Sequence, residues 1–245
     1  MNLSLYCNSF GGKDPLHTQG NQKTLMCGSH NLDNITKQNC INKGYILDNT
    51  FDNISHLNYL LGDLTGLYWI WKNANDEFLG TNQYCRFYDD SQLPLLFPLD
   101  KNTLYVFEFI NFNESIWHQY MASHTDLGMR LLTKAIEQKT IPITEKMFND
   151  LFHTNRLSPC NTFFAHKTLL DKTCEILFDT IFELYEGSKY LIEFVQFGAH
   201  AGRNANDKRL LAFLAERILN IIYFNTKYFL GNAQIVPVKY YYKHG

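Results

Sequence analysis

Two hydrophobic periods alternate along this chain, and that alternation narrows its fold more than any other feature. Asn2 to Cys7 alternates apolar and polar residues, as a strand does. Tyr45-Ile46-Leu47, Glu77 to Tyr84, Thr103 to Ile110, Cys160 to Ala165 and Ile235 to Tyr242 are further β-prone runs. Between them the spacing becomes helical. A helix is predicted from Ser55 to Asn73, with Ser55 at its N-cap and Leu60, Leu64, Leu67 and Trp71 on one face. Others are predicted near 126–138, near 144–153 after Pro142, over Thr168 to Glu186, and over Asn206 to Phe224. Residues 13–43 are polar and read as loop with at most a short helix. Strands and helices mix in the first half, and helices dominate the second. The expected fold is α/β: a Rossmann-type nucleotide-binding sheet flanked by helices, with a more helical C-terminal half. No repeat or low-complexity linker divides the 245 residues, so a single domain is expected over 1–245.

Several function classes drop out on composition. Lysine plus arginine total 22 against 24 acidic residues, a balance that offers no dense basic surface and predicts no nucleic-acid partner. The N-terminal segment lacks the charged-then-apolar order of a secretory signal, and the longest apolar stretch, Ile218 to Phe224, is too short to cross a bilayer. A cytoplasmic protein with reduced thiols is the expectation. The six cysteines form no CxxC pair and the nine histidines no HExxH, which argues against a structural metal site. GxGxxG and P-loop motifs are both absent. Gly62 and Gly66 stand one turn apart in the predicted Ser55–Asn73 helix, at about 1 kcal/mol each relative to alanine. Close approach to a strand or to a ligand would offset that cost.

The segment Asp48 to Tyr88 is the distinctive one. Asp52-Asn53-Ile54-Ser55 precedes Asp63-Leu64-Thr65-Gly66-Leu67-Tyr68-Trp69-Ile70-Trp71-Lys72-Asn73, and a strand then leads to Gln83-Tyr84-Cys85-Arg86-Phe87-Tyr88. Further on stand Cys160-Asn161-Thr162-Phe163-Phe164, an apolar helix over 174–183, and Lys208-Arg209-Leu210-Leu211-Ala212-Phe213-Leu214-Ala215-Glu216-Arg217-Ile218-Leu219. In this order and over residues 45–225 the chain resembles the DUF4422 family of bacterial glycosyltransferases, found in capsular and lipopolysaccharide gene clusters. The resemblance implies a GT-A-like fold and transfer of a sugar, galactose-type in that setting, from a nucleotide donor. A UDP-sugar donor and a surface polysaccharide or glycolipid acceptor are the implied partners. Residues 1–110 would then be mainly the nucleotide-sugar-binding half and 111–245 mainly the acceptor side. Two departures stand where the donor is expected. The family's first strand ends in a His-Lys pair where this chain has Cys7-Asn8-Ser9-Phe10, and its HYRRYF is Gln83 to Tyr88, without the histidine and the first arginine. A glycan- or nucleotide-binding protein that no longer catalyses is therefore the second reading.

On this resemblance Asn8, Asp52, Asn53, Asp63, Gln83, Arg86, Asn161 and Arg209 are the expected donor-binding residues, with Arg86 and Glu216 in catalytic roles. Each has a plainer reading. Asp52-Asn53 before a helix start is either an anion site or an Asx turn. Asp63 either binds ribose and sugar hydroxyls or is an exposed helical carboxylate. Arg209 and Glu216 share a helical face seven residues apart, and Glu216 is either a base or one half of a structural ion pair, with Arg217 pointing about 100° away. For the diphosphate two schemes stand: a divalent cation, Mn²⁺ or Mg²⁺, on Asp89 and Asp90, or a cationic clamp of Arg86, Arg209 and Lys208. Tyr68, Trp69 and Trp71 read as core more than as a sugar platform. The run Lys239 to His244 is either an edge strand or a peripheral membrane contact.

Overall fold

The computed structural model describes residues 3–17, 22–89, 91–197 and 209–243. The chain begins with β1 (Leu3–Phe10) and β2 (Gln22–Cys27), passes through α1 (Asn34–Asn42) and reaches β3 (Ile46–Leu47). Helices α2 (Asn58–Leu61) and α3 (Leu64–Asn73) lead into β4 (Phe78–Gln83) and the short β5 (Arg86–Tyr88). Strands β6 (Thr103–Phe107) and β7 (Ile110–Asn111) precede α4 (Ile116–Ser123), α5 (Leu127–Gln138) and α6 (Glu145–Phe152). After β8 (Arg156–Leu157) and β9 (Phe163–His166) come α7 (Lys167–Glu186), α8 (Lys189–Phe197), α9 (Leu210–Phe224) and α10 (Thr226–Phe229). Strands β10 (Gln234–Val238) and β11 (Tyr240–Tyr242) close the sequence of elements.

The main sheet runs β10-β6-β9-β4-β1-β2-β3, with β5 joined to β4 and β11 to β5. β3, β2, β1 and β4 are parallel, β9 runs against both β4 and β6, and β6 is parallel to β10. Parallel strands need cover on both faces, and β1 has it: Leu3 to Ser9 are all buried. One face carries a core that includes Leu64, Leu67, Ile70, Leu170, Leu177, Leu214 and Ile218. The other is closed by Phe78, Tyr88, Leu99, Tyr105, Phe107 and Phe164. Each fully buried Leu or Phe contributes about 1.5–3 kcal/mol. Among the described residues no helix is long and apolar enough to cross a membrane.

The structure departs from the sequence expectations at instructive places. Strand β2 falls in the segment expected as loop, because only Leu25, Met26 and Cys27 are buried and three residues display no period. Helix α4 was not expected either, although Ser115 caps it by accepting from His118 N and Ile116 and Tyr120 are buried at a spacing of four. The predicted Ser55–Asn73 helix is broken at Gly62, whose φ of 55° is left-handed and ends α2, so that α3 starts afresh after Asp63. Gly66 answers to the other explanation. A Cβ there would lie 2.5 Å from Asn8 Oδ1 and 2.6 Å from Cys27 Sγ, so α3 rests directly on β1 and β2. Trp69 is buried and donates its indole N–H to Thr50 O at 3.0 Å, while Trp71 stacks on Phe178 at 5.4 Å. These aromatics belong to the packing.

Candidate functional site

The strand order places a crevice. From β1 the chain steps outward through β2 to β3, and then returns to lay β4 on the opposite flank of β1. Ligands of open α/β sheets bind beyond the carboxyl ends of two such diverging strands. Asn8 and Gln83 are register partners at that point. The break at Gly62 sets the first turn of α3 over the same edge. Asn8 Nδ2 donates to Asp63 O at 3.2 Å, fixing the backbone where α3 begins. The Asp63 carboxylate accepts from Gln83 Nε2 at 2.8 Å and from Asn161 Nδ2 at 3.2 Å, drawing in the loop before β9. Burial raises the Asp63 carboxyl above its ordinary value; the amides of Gln83 and Asn161 and the charge of Arg209 pull it back, and Glu216 pushes it up further.

Two charged side chains act on this aspartate, Arg209 and Glu216, and a third, Arg86, is linked to it through Gln83. Arg86 opens β5 after the Tyr84-Cys85 turn, donates from Nη1 to Gln83 Oε1 at 3.3 Å, and rests 4.7 Å from the centroid of the Tyr242 ring. Tyr242 is placed by the antiparallel pairing of β11 with β5. Arg209 stands at the N-cap of α9 and runs beside Gly62, where a Cβ would meet its Cδ at 3.4 Å. Glu216, two turns into α9, accepts from the backbone N–H of Cys160 and pairs with Arg217. Arg217 is buried and also donates to Gln119 Oε1 at 2.6 Å. The Cys160 thiol lies within electrostatic reach of Glu216, Arg86 and Asp63, and burial raises its pKa.

The structure thus brings together Asn8, Asp63, Gln83, Arg86, Asn161, Arg209 and Glu216 from segments scattered over the chain. Two of the plainer readings are altered by it. Asp63 is buried at the start of a helix, not an exposed helical carboxylate. Glu216 is half of an ion pair, and with the neighbour expected to point away, because the long Arg217 side chain folds back over its own helix turn. Asp52 and Asn53 are elsewhere. Asp52 meets the C-terminal part of α3, its backbone O accepting from Asn73 Nδ2 at 2.8 Å and its carboxylate from Tyr68 Oη at 3.3 Å, while Asn53 Oδ1 accepts from Ser55 N at 3.2 Å in an Asx turn. Asp89 spends its carboxylate on Ser91, accepting from N at 2.8 Å and Oγ at 2.7 Å, which holds it below the usual carboxylate range. Asp90, Lys208 and His244 lie outside the described residues. Among the described residues no three His, Cys, Asp or Glu side chains gather as a metal site.

Two residues of this edge escaped the sequence reading. Asp48, fully buried after β3, accepts from Gly28 N at 2.8 Å, Ser29 N at 3.0 Å, Ser29 Oγ at 2.7 Å and Thr65 Oγ1 at 2.7 Å, and from Ser55 Oγ. Cys160 has a φ of 67°, which turns its N–H onto Glu216. Neither shows a local motif, since their partners are remote in sequence.

The whole architecture has a counterpart among solved structures. The apo structure of WbbM, a bifunctional glycosyltransferase, is similar to all of this chain with a TM-score of 0.75 and 17% sequence identity, a likeness of fold. The chain spans 46% of that protein's length. No curated protein matches the chain in sequence. Both the sheet order and this neighbour agree with a GT-A-like α/β fold. Residues 33–227 match the model of DUF4422, described as a domain of unknown function, and the chain belongs to that family.

Proposed function

We propose that this chain is a glycosyltransferase that takes its sugar from a nucleotide donor, UDP-linked and galactose-type, and passes it to a polysaccharide or glycolipid acceptor. The observation that carries the reading is the convergence of Asp63, Gln83, Arg86, Asn161, Arg209 and Glu216 beyond the ends of β1 and β4. Sugar transfer must neutralise a departing diphosphate. Arg209 acts on Asp63 directly and Arg86 is linked to it through Gln83, and the two supply that charge with planar forks of donors. Asp63, aligned by two side-chain amides, is suited to accept from ribose or sugar hydroxyls. A divalent ion, Mn²⁺ or Mg²⁺, would rest on Asp63 and donor phosphate oxygens, since Asp89 is engaged by Ser91. The cationic clamp therefore fits these residues better.

One observation favours the second reading, donor binding without transfer. Glu216 already answers to Cys160 N–H and Arg217, which leaves it little freedom as a base. Calorimetric titration with UDP and a UDP-sugar panel, together with a donor-hydrolysis assay, decides between the two. Arg86→Ala should lose about 1.5–3 kcal/mol of donor binding, roughly ten- to a hundredfold. Arg86→Lys should recover part of it, and EDTA should change nothing. Binding with no turnover over a range of acceptors selects the second reading; no nucleotide binding at all defeats both.

A further inference from the structure

Away from the crevice, a groove of about 870 Å³ runs between α4, α5, α6 and α10. Trp117, 39% exposed, and Tyr228, 62% exposed, present their rings to it. Trp117 is held in place by the edges of Phe148, at 6.3 Å and 79°, and Phe152, at 6.2 Å and 81°. A second hollow of about 430 Å³, sharing Trp117 and Glu137, prolongs the groove along α5 toward Met121 and Arg130. The shape is long and open, suited to a chain more than to a compact ligand.

We propose that this groove binds the saccharide chain of the acceptor, upstream of its reacting end. Over the groove and its extension the rim charges are mixed, Glu137, Glu145 and Asp126 against Lys139, Lys134 and Arg130. A phosphate or an anionic lipid head would call for a cluster of one sign, whereas a neutral polyhydroxyl chain needs donors and acceptors together. Among the described residues the side chains of Glu137, Lys139 and Glu145 hold no hydrogen bond or ion pair and are available to hydroxyls. Aromatic faces carry partial negative charge and attract the C–H face of a pyranose, and a ring already fixed by its neighbours loses little entropy on binding. Position agrees as well. Trp117 and Gln119 lie two residues apart on α4, about 200° around the helix, and Gln119 accepts from the Arg217 that pairs with Glu216. The groove thus lies one helix, about 10–12 Å, behind the crevice.

The identity of the saccharide as acceptor rests on the transferase reading; its binding does not. The test titrates the intact chain, without donor, with galactose-, glucose-, mannose- and N-acetylglucosamine-based oligosaccharides of two to six units. Tryptophan emission reads the groove, because of the three tryptophans Trp69 is only 7% exposed, Trp71 is half-buried on Phe178, and Trp117 is the exposed one. At least one series should quench with an affinity that rises fivefold or more from two to six units. Tyr228→Ala should weaken it about tenfold, and Trp117→Ala should abolish it when followed by calorimetry, with the UDP affinity of both folded variants unchanged. Failure of every series overturns the proposal, as does a response to dodecylphosphocholine in place of sugar, or unaltered binding in both variants. Oligosaccharide binding by a chain that takes up no UDP sustains the groove and removes the transferase reading.

Discussion

Asp48 and Asp63 lie on the same edge of the sheet, a single turn of α3 away from each other, and they are treated in opposite ways. Asp48 receives five donors, two of them backbone N–H groups and three hydroxyls. These tie the β2–α1 loop, the segment after β3 and the first turn of α3 to one buried charge. Asp63 receives two side-chain amides and borders an arginine and a second carboxylate, Glu216, that opposes its ionisation. The satisfied aspartate is a fastening. The other has fewer donors and a proton affinity raised by burial, the kind of perturbation that marks a candidate functional carboxylate.

The sharpest way to break this contrast is to delete the fastening. Asp48→Ala leaves its five donors orphaned and should cost about 3–5 kcal/mol of folding stability, read by denaturant unfolding. A loss below 1 kcal/mol would mean that the hub holds nothing together. Gly66→Ala comes next. Its methyl would press on Asn8 and Cys27, so about 1–3 kcal/mol of overpacking is expected. Because Asn8 anchors Asp63, donor affinity should fall in this variant as well, whereas pure packing damage would spare it.

Asp63→Asn sharpens the comparison through pH. Burial raises this carboxyl, so the folded chain holds the proton more tightly than the unfolded chain does. Below the ordinary value of 3.8 the carboxyl is protonated in both states and costs nothing. As pH climbs through the raised value, ionisation in the buried site increasingly weighs against folding. The stability of Asp63→Asn relative to the parent should therefore improve across that window while donor binding drops. A flat difference from pH 4 to 7 would contradict it. Asp52→Ala should do least. Its contacts at the far end of α3 are exposed, so about 0.5 kcal/mol or less is expected, with donor affinity unchanged.

How much of this the sequence disclosed depended on whether a signal was local. Helix α7 and strand β4 were plain from their spacing, since a long stripe or a continuous buried run is written in consecutive residues. Asp63, Arg86 and Glu216 were reached through the resemblance to the family string, since no periodicity encodes the geometry of such sites. Asp52-Asn53 was drawn in by the same string and proved to be held by Asn73 and Tyr68. Asp48 was passed over as the end of a strand because its donors sit at positions 28, 29, 55 and 65. Only β2, itself hidden by a short apolar run, brings the first two of those within reach.

The pairing of β11 with β5 has a consequence for the order in which the molecule is made. The parallel strands β1 to β4 are complete once residue 83 has been synthesised, yet the aromatic seat of Arg86 is Tyr242. At about 5–20 residues per second, ribosomes need roughly 10–30 s to cover that interval. For most of it the nascent chain carries β1 to β4 and an unplaced arginine, still without Arg209 and Glu216. Any ligand that needs the whole constellation meets it only after the last strand has left the exit tunnel, so a truncated chain keeps much of the core and none of the completed crevice.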